Sequence, residues 1–269
     1  MKTLCERYRV TRAGYHAWCR RAPSARSRWD DKLIKRVRAI FDASDGTYGS
    51  PRIHFTLQAA GFKTGRKRVA RLMRSAALRA RSARIYRRTP GTRRFFAEIP
   101  NRVLGLETTA PGQIWVGDVT YLRSAGRWRY LAVVLDRHSR RVLGWSFGQK
   151  RDVKLTLHAL NRALLRRRLQ PGLIFHSDRG VEYSAYAFRT RLAAVGITQS
   201  QKRPREICDN AFVESFFHSM KSDVIHGRIF DSDLSLNVVV SRYLRRYNLT
   251  RRHSSLGFLS PIHYEKTAA

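Results

Sequence analysis

The chain has 269 residues, 43% of them hydrophobic, enough for one large domain or two modest ones with real cores. Its 54 Lys and Arg against 19 Asp and Glu leave a formal charge of +35, which calls for a polyanionic partner, nucleic acid before a membrane surface. No apolar run of about 18 residues offers a membrane span, no apolar leader opens the chain, and Cys5, Cys19 and Cys208 make no disulfide framework. A cytoplasmic, nucleoid-associated protein is the expectation. Cys5, His16 and Cys19 lack the spacing of a zinc site.

The charge is uneven: residues 1–110 carry 27 Lys and Arg against 7 Asp and Glu. Residues 1–22 read as a short helical unit, with Leu4, Tyr8, Tyr15 and Trp18 as its apolar side and Thr11 as a cap; Pro23 and Ser24 break it. Residues 30–43 read as a helix with Leu33, Val37, Ile40 and Phe41 on one face. Ser50 as N-cap and Pro51 at the first helical position start another, which Gly61 stops. Thr64 should cap a third, over 65–76, where Arg66, Lys67, Arg68, Arg71 and Arg74 surround Val69, Leu72 and Met73. Two short helices joined by Gly61-Phe62-Lys63 form a helix-turn-helix pattern whose basic second helix would read DNA. A solvated basic helix in a bundle is the plainer alternative. The expected partition is a helical DNA-binding region over 1–78, helix-turn-helix-like from about 28, and an arginine-rich linker over 79–110.

From Gln113 the pattern turns to strands, predicted at 114–122, 128–135 and 141–147 and joined by short hairpin turns. Asp136, at a strand end, reads as turn chemistry. Asp152 should cap a helix carrying Leu157, Leu160 and Leu164. A buried-type strand follows at 173–175, then a helix at 184–195 and a last short strand after Gly196. Strands followed by alternating helices make an α/β layer order over 111–230. A helix over 231–247, with Leu234, Val238, Tyr243 and Leu244 apolar, and a basic tail over 231–269 would close the chain, the tail as a second DNA or subunit contact.

Three carboxylates stand out against this pattern. Asp118 interrupts a β-propensity run, on the strand face it shares with Ile114, Val116, Thr120 and Leu122. Asp178 directly follows Leu173-Ile174-Phe175-His176-Ser177, the place where sites in open α/β sheets lie. Glu214 sits on a helix capped by Asp209 or Asn210, beside the core stripe Val213, Phe216, Phe217, Met220 and Val224, and shares its flank with His218 and Lys221. Singly, each has a bland reading as turn, cap or solvated ion pair. Together they offer hard oxygen ligands of the kind Mg2+ prefers.

The spacing and flanking words resemble a known family. Asp118, Asp178, a gap of 35 residues and Glu214 resemble the DDE motif of transposases and retroviral integrases. His176-Ser177-Asp178-Arg179-Gly180 with Tyr183, Asp209-Asn210-Ala211 with Glu214-Ser215-Phe216, and Tyr247-Asn248 with Arg252-His253-Ser254-Ser255-Leu256-Gly257 resemble the second-frame transposase of insertion-sequence family three, over nearly the whole chain. The resemblance implies a ribonuclease-H-like core, a mixed five-stranded sheet with helices on both faces, behind an all-α helix-turn-helix-type region. It implies Asp118, Asp178 and Glu214 as catalytic residues around two Mg2+ ions, with Mn2+ as a substitute, and His218 and Lys221 against the DNA near the scissile phosphate. The implied reaction is cleavage at element ends and strand transfer by a 3′-hydroxyl. The partners would be terminal inverted repeats, target DNA, further copies of the chain, and an upstream helix-turn-helix and leucine-zipper protein joined by frameshifting. A non-catalytic DNA-binding regulator derived from such an enzyme is the alternative. One departure stands out: where relatives carry a small, Gly-containing loop, this chain has Gln201-Lys202-Arg203-Pro204-Arg205-Glu206-Ile207.

Overall fold

The computed structural model describes residues 2–81, 99–203 and 211–267. Most of the arginine-rich linker, the loop from Pro204 and the expected caps Asp209 and Asn210 lie outside the described residues. Two compact units form, Met1–Arg81 and Ser82–Ala269.

The first unit is helical: α1 (Lys2–Arg7), α2 (Arg12–Arg20), α3 (Ala25–Ala43), α4 (Ser50–Ala59) and α5 (Arg66–Ser75). The Thr11 hydroxyl accepts from the Gly14 N–H and caps α2 as expected. The helix breaks at Pro23 and Ser24 as expected, and Ser24 is also a cap: its hydroxyl accepts from Ser27 N–H, and α3 starts five residues before the expected Asp30. The caps of α4 and α5 are Gly49 and Gly65, without side-chain bonds, so Ser50 is already helical and Thr64 does not cap. Leu33, Val37, Tyr48, Ile53, Leu57, Val69, Leu72 and Met73 form one core across α3, α4 and α5. Leu4, Tyr8 and Trp18 do not join it and stay exposed.

The second unit is built on a five-stranded sheet of β1 (Ile114–Ser124), β2 (Arg127–Asp136), β3 (Val142–Gly148), β4 (Ile174–Ser177) and β5 (Thr198–Gln201), in the order β3-β2-β1-β4-β5. The first three strands pair antiparallel, and β4 and β5 run parallel to β1. Ala125 and Gly126, both at positive φ, make the tight turn between β1 and β2. Helices α6 (Val153–Arg166), α7 (Val181–Ser184) and α8 (Tyr186–Ala194) follow, then α9 (Ala211–Met220), a π-helical turn (Lys221–Ile225), α10 (Asp233–Leu249) and α11 (Pro261–Thr267).

Strand alternation separates two cores. Ile114, Val116, Leu122, Leu131, Val133 and Leu135 face α9 and α10 through Val213, Phe216, Met220, Leu236, Val240 and Tyr243. Trp115, Ala132, Val134, Leu143 and Phe175 face α6 and α8 through Leu155, Ala159, Leu160, Phe188 and Leu192. Helices on both faces of a mixed sheet make the ribonuclease-H-like layering that the sequence implied.

Three expectations change. Gln201, assigned to a loop, is buried at the end of β5. Leu234 and Val238 are 73% and 47% exposed, because α10 turns Leu236, Val240, Tyr243, Leu244 and Tyr247 inward instead. A division at 230/231 does not appear: α10 shares the core of the sheet, and the Glu265 carboxylate of α11 accepts from Ser139, Arg141 and Arg167. Arg251 donates to Asp223 at 2.9 Å, with side chains 4% and 5% exposed. The chain after residue 230 is therefore structural as much as it is a tail.

A buried ion pair that loses one partner leaves an uncompensated charge. Asp223→Ala should lower unfolding stability by about 3–5 kcal/mol, whereas Asp223→Leu combined with Arg251→Met should cost far less. Chemical denaturation of the full chain measures both; equal losses in the two variants would show that packing, not charge, sets the cost.

Candidate active site

The parallel pairing of β1 and β4 ends at the register pair Gly117 and Ser177. The next residue on each chain is an aspartate: Asp118 and Asp178. Adjacent strands lie about 4.8 Å apart, so two carboxylates emerge side by side at the C-terminal end of β4. The close approach needs Gly117. A Cβ there would lie 2.5 Å from Phe175 Cζ and 3.3 Å from Tyr183 Cε1.

Asp118 Oδ1 accepts from the Val119 N–H at 2.7 Å, and Asp178 Oδ1 accepts from the Gly180 N–H at 3.0 Å. Burial, then the neighbouring charge of Asp178, pushes the Asp118 carboxyl well above the usual range; the Val119 N–H and Arg151 pull against this, and Glu214 adds to it. Glu214, exposed in the first turn of α9, is also raised, first by burial and further by Asp178, with Lys202 opposing. The three carboxylates thus share one field. Among the described residues, however, no three His, Cys, Asp or Glu side chains stand close enough to close a metal site. Asp118 and Asp178 form a pair, and Glu214 is a looser third member on the helix.

Of the expected flank of α9, His218 is exposed. Lys221 falls in the π-helical turn and is drawn inward: its ammonium lies 4.5 Å over the Tyr121 ring. Burial lowers its pKa, and the charge of Asp118 acts the other way. Lys221 is therefore a cation in the field of Asp118.

Sequence reasoning missed a second layer. Arg151 places Nη2 3.8 Å from Asp178 Oδ2 and 2.7 Å from Glu182 Oε1. Glu182 has a fully buried side chain, and its Oε2 has no hydrogen-bond partner. Burial works against the charge on Arg151, but the hydrogen bond it donates to Glu182 and the fields of Glu182, Asp178 and Asp118 hold its pKa above the ordinary value. A Cβ on Gly180 would meet Glu182 Oε1 at 2.7 Å and Asp178 Oδ1 at 3.0 Å, so glycine is what lets the two carboxylates bracket the turn. The signal was Glu182 itself, an acid inside Val181-Glu182-Tyr183. Asp136 is a turn residue, as read from sequence: it accepts from the N–H groups of Gly112, His138 and Ser139 and from Arg167.

In the first unit, Arg66, Lys67 and Arg74 are exposed on α5. Arg68 and Arg71 donate to Asp30 of α3 at 2.7 and 2.5 Å. Two of the five expected DNA contacts are thus tied to a carboxylate that clamps α5 onto α3. Burial alone would raise the Asp30 carboxyl, yet the two guanidinium bonds hold it below the usual range.

Because the folded state raises the Asp118 pKa, it binds that proton more tightly than the unfolded chain does. Ionised Asp118 then subtracts from stability above the folded pKa and subtracts nothing below about 3.8, the unfolded value. Asp118→Asn should raise the melting temperature at pH 7 in the presence of EDTA, by about 2–4 °C per kcal/mol relieved. The gap should close as pH approaches 4. A variant melting at or below the native chain at pH 7 contradicts the repulsion.

Comparison with known proteins places the sequence in a lineage. A family model described as integrase core domain matches residues 108–206, a second integrase core domain model matches 195–261, and an HTH-like domain model matches 28–86. The chain is 36% identical, over 98% of its length and 93% of the relative's, to the transposase InsF for insertion sequence IS3A of Escherichia coli strain K12. It is 33% identical, over 98% of its length and 97% of the relative's, to the insertion element IS600 uncharacterized 31 kDa protein of Shigella sonnei. The catalytic core domain of HTLV-2 integrase, solved in complex with magnesium, aligns with a TM-score of 0.47 and 18% identity over 59% of this chain and 99% of that one. The chain belongs to the insertion-sequence transposases of the IS3 type, DNA polynucleotidyl transferases with an HTH-like domain ahead of an integrase core.

Proposed function

We propose that Asp118, Asp178 and Glu214 are the catalytic acids of this transposase, which cuts DNA at the ends of its element and joins those ends to target DNA. The observation that carries the reading is the register of β1 and β4, which sets Asp118 beside Asp178 where the pairing of these two inner strands ends, with Glu214 in the same field. The donor set fits a divalent cation: all oxygen, no soft ligand, and an aspartate whose pKa is raised first by burial and then by the neighbouring Asp178 carboxylate. Asp118, Asp178 and Glu214 would together hold the two Mg2+ ions, with Mn2+ as a substitute. When bound, the metal supplies Lewis-acid stabilisation of the phosphate and activation of the attacking oxygen.

The protein's own part is positioning. Gly117 lets Phe175 and Tyr183 pack under the strand ends, which fixes the backbone of the aspartate pair. Arg151, held by Glu182, keeps Asp178 oriented and offsets part of the charge. Water as nucleophile gives cleavage, and a DNA 3′-hydroxyl gives joining, so no side chain forms a covalent intermediate. Lys221 is set to meet a phosphate beside Asp118, with His218 one turn before it on α9. Arg66, Lys67 and Arg74 of α5 grip the terminal inverted repeats. Two ends must be held for one joining event, so the working form is a homo-oligomer on DNA, acting with an upstream helix-turn-helix and leucine-zipper protein.

Charge stabilisation by metal is worth several kcal/mol, and each 1.4 kcal/mol is about tenfold in rate. Asp118→Asn, Asp178→Asn and Glu214→Gln should each cut cleavage and strand transfer of labelled element ends in Mg2+ by about 10³-fold or more. Binding to the same DNA should persist. Full activity in any one of them removes that residue from the centre, and inactivity of the native chain with tight DNA binding would point to a regulator instead.

Neutralising phosphate contacts releases counterions. Alanine at Arg66, Lys67 or Arg74 should each reduce the slope of log affinity against log salt by about one. Alanine at Arg68 or Arg71 should instead lower the stability of the helical unit first. A slope unchanged by all three exposed substitutions would move the DNA grip off α5.

A further inference from the structure

Helix α9 has a second working flank. Next to Glu214 and His218 lie Ser215 and Ser219, and these open onto a cavity of about 310 Å³ that is also lined by Arg140, Phe212, Tyr247 and Ser255. The Arg140 guanidinium carbon lies 3.9 Å from the centre of the Phe212 ring, and Arg137 stacks on the same ring at 4.9 Å. Arg140 reaches this place from a left-handed backbone, φ 62°, a conformation that strains a non-glycine residue.

Arg140 is half-buried. Burial lowers its pKa, with Tyr247 and Asp136 opposing and Arg137 reinforcing. Among the described residues, no carboxylate forms an ion pair with it. A partly desolvated guanidinium stacked on an aromatic ring, with no ion pair among the described residues, is a ready partner for an anion. The rest of the wall says which anion. Three serine hydroxyls and an arginine fork suit phosphate oxygens, and aromatic faces suit the sugar or base beside them. The chain's charge of +35 favours a polyanion over an acidic protein segment. The cavity also shares a helix with Glu214, so a strand crossing α9 at the carboxylates runs past it.

We propose that this cavity seats one backbone phosphate of a DNA strand, on the Arg140 guanidinium and the hydroxyls of Ser215, Ser219 and Ser255. The assignment rests on the reading of the chain as a DNA-acting transposase, and the test separates the two. Element-end DNA carrying a single neutral methylphosphonate, moved one position at a time, is titrated with the full chain. One position should weaken binding by about tenfold, the scale of a single charged hydrogen-bond contact. Arg140→Gln should lose about as much on unmodified DNA and become indifferent to that one position, while Arg140→Lys keeps part of the sensitivity.

Melting temperature reports whether Arg140→Gln folds. If it does not, Ser215→Ala with Ser219→Ala, which leaves the stacked arginine in place, should still weaken binding about threefold and blunt the same position. Unchanged affinity in a folded Arg140→Gln, or losses that add independently with every methylphosphonate, overturns the proposal. So does a change in sedimentation without a change in DNA affinity, which would assign the cavity to a second copy of the chain. Failure of the native chain to bind DNA overturns both readings; binding and cutting without coupling overturns this one alone.

Discussion

Two like charges set side by side where the pairing of two parallel strands ends are the constraint around which the second unit is arranged. The register that ends at Gly117 and Ser177 leaves Asp118 and Asp178 nowhere else to go. Their proximity opposes folding in the absence of a cation, since burial and Asp178 together raise the Asp118 carboxyl. The surrounding structure has to hold that arrangement against repulsion, and it does so from two sides. From below, Trp115, Phe175 and Tyr183 are fully buried under the strand ends, which fixes the backbone. From the side, Arg151 supplies a positive charge whose own position is set by buried Glu182. Glu182 trades one good ion pair for one unsatisfied oxygen, a cost that makes sense only if orienting Arg151 is worth it.

The turn between β2 and β3 is the second point of control. Buried Asp136 accepts from the N–H groups of Gly112, His138 and Ser139, so the loop has one shape. Arg167 then ties Asp136 to Glu265, and Arg141 and Ser139 reach the same Glu265. A strand end, α6 and α11 thereby meet on two carboxylates. This explains why the last helix belongs to the sheet domain and was mistaken for a tail: the bonds that fix it span more than 90 residues of sequence. Local pattern carries no trace of such partners.

What was legible follows the same division. Strand alternation and apolar runs put all five strands and α6, α9 and α10 close to their observed places, because burial on one face is a local property of sequence. Asp118, Asp178 and Glu214 were legible as charges set against apolar patterns. Arg151 was not, because it sits next to the capping Asp152 and looks like any loop arginine of a basic chain. Its role depends on Glu182, 31 residues away. The bonds of Arg68 and Arg71 to Asp30 were hidden for a related reason: a charge on a basic helix declares neither solvent nor partner, and Asp30 lies 38 and 41 residues earlier. The inward turn of Lys221 came from the π-helical geometry after Met220, which a uniform 100° step does not foresee.

Helix α9 shows why the acidic trio tolerates so little error. Its rotation is set by Val213, Phe216, Phe217 and Met220, all buried against β1, β2 and α10. Glu214 is attached to that stripe by one residue step, and so is Ser215. A rotation of 100°, the angle of a single residue, would carry Glu214 out of the field of Asp178 and would set a serine in its place. The apolar contacts that hold the rotation are worth about 1.5–3 kcal/mol for each large side chain, far more than the repulsion among partly exposed carboxylates returns. Hydrophobic burial therefore decides where the third carboxylate points, and the electrostatics of the centre are imposed by packing rather than chosen by the charges themselves.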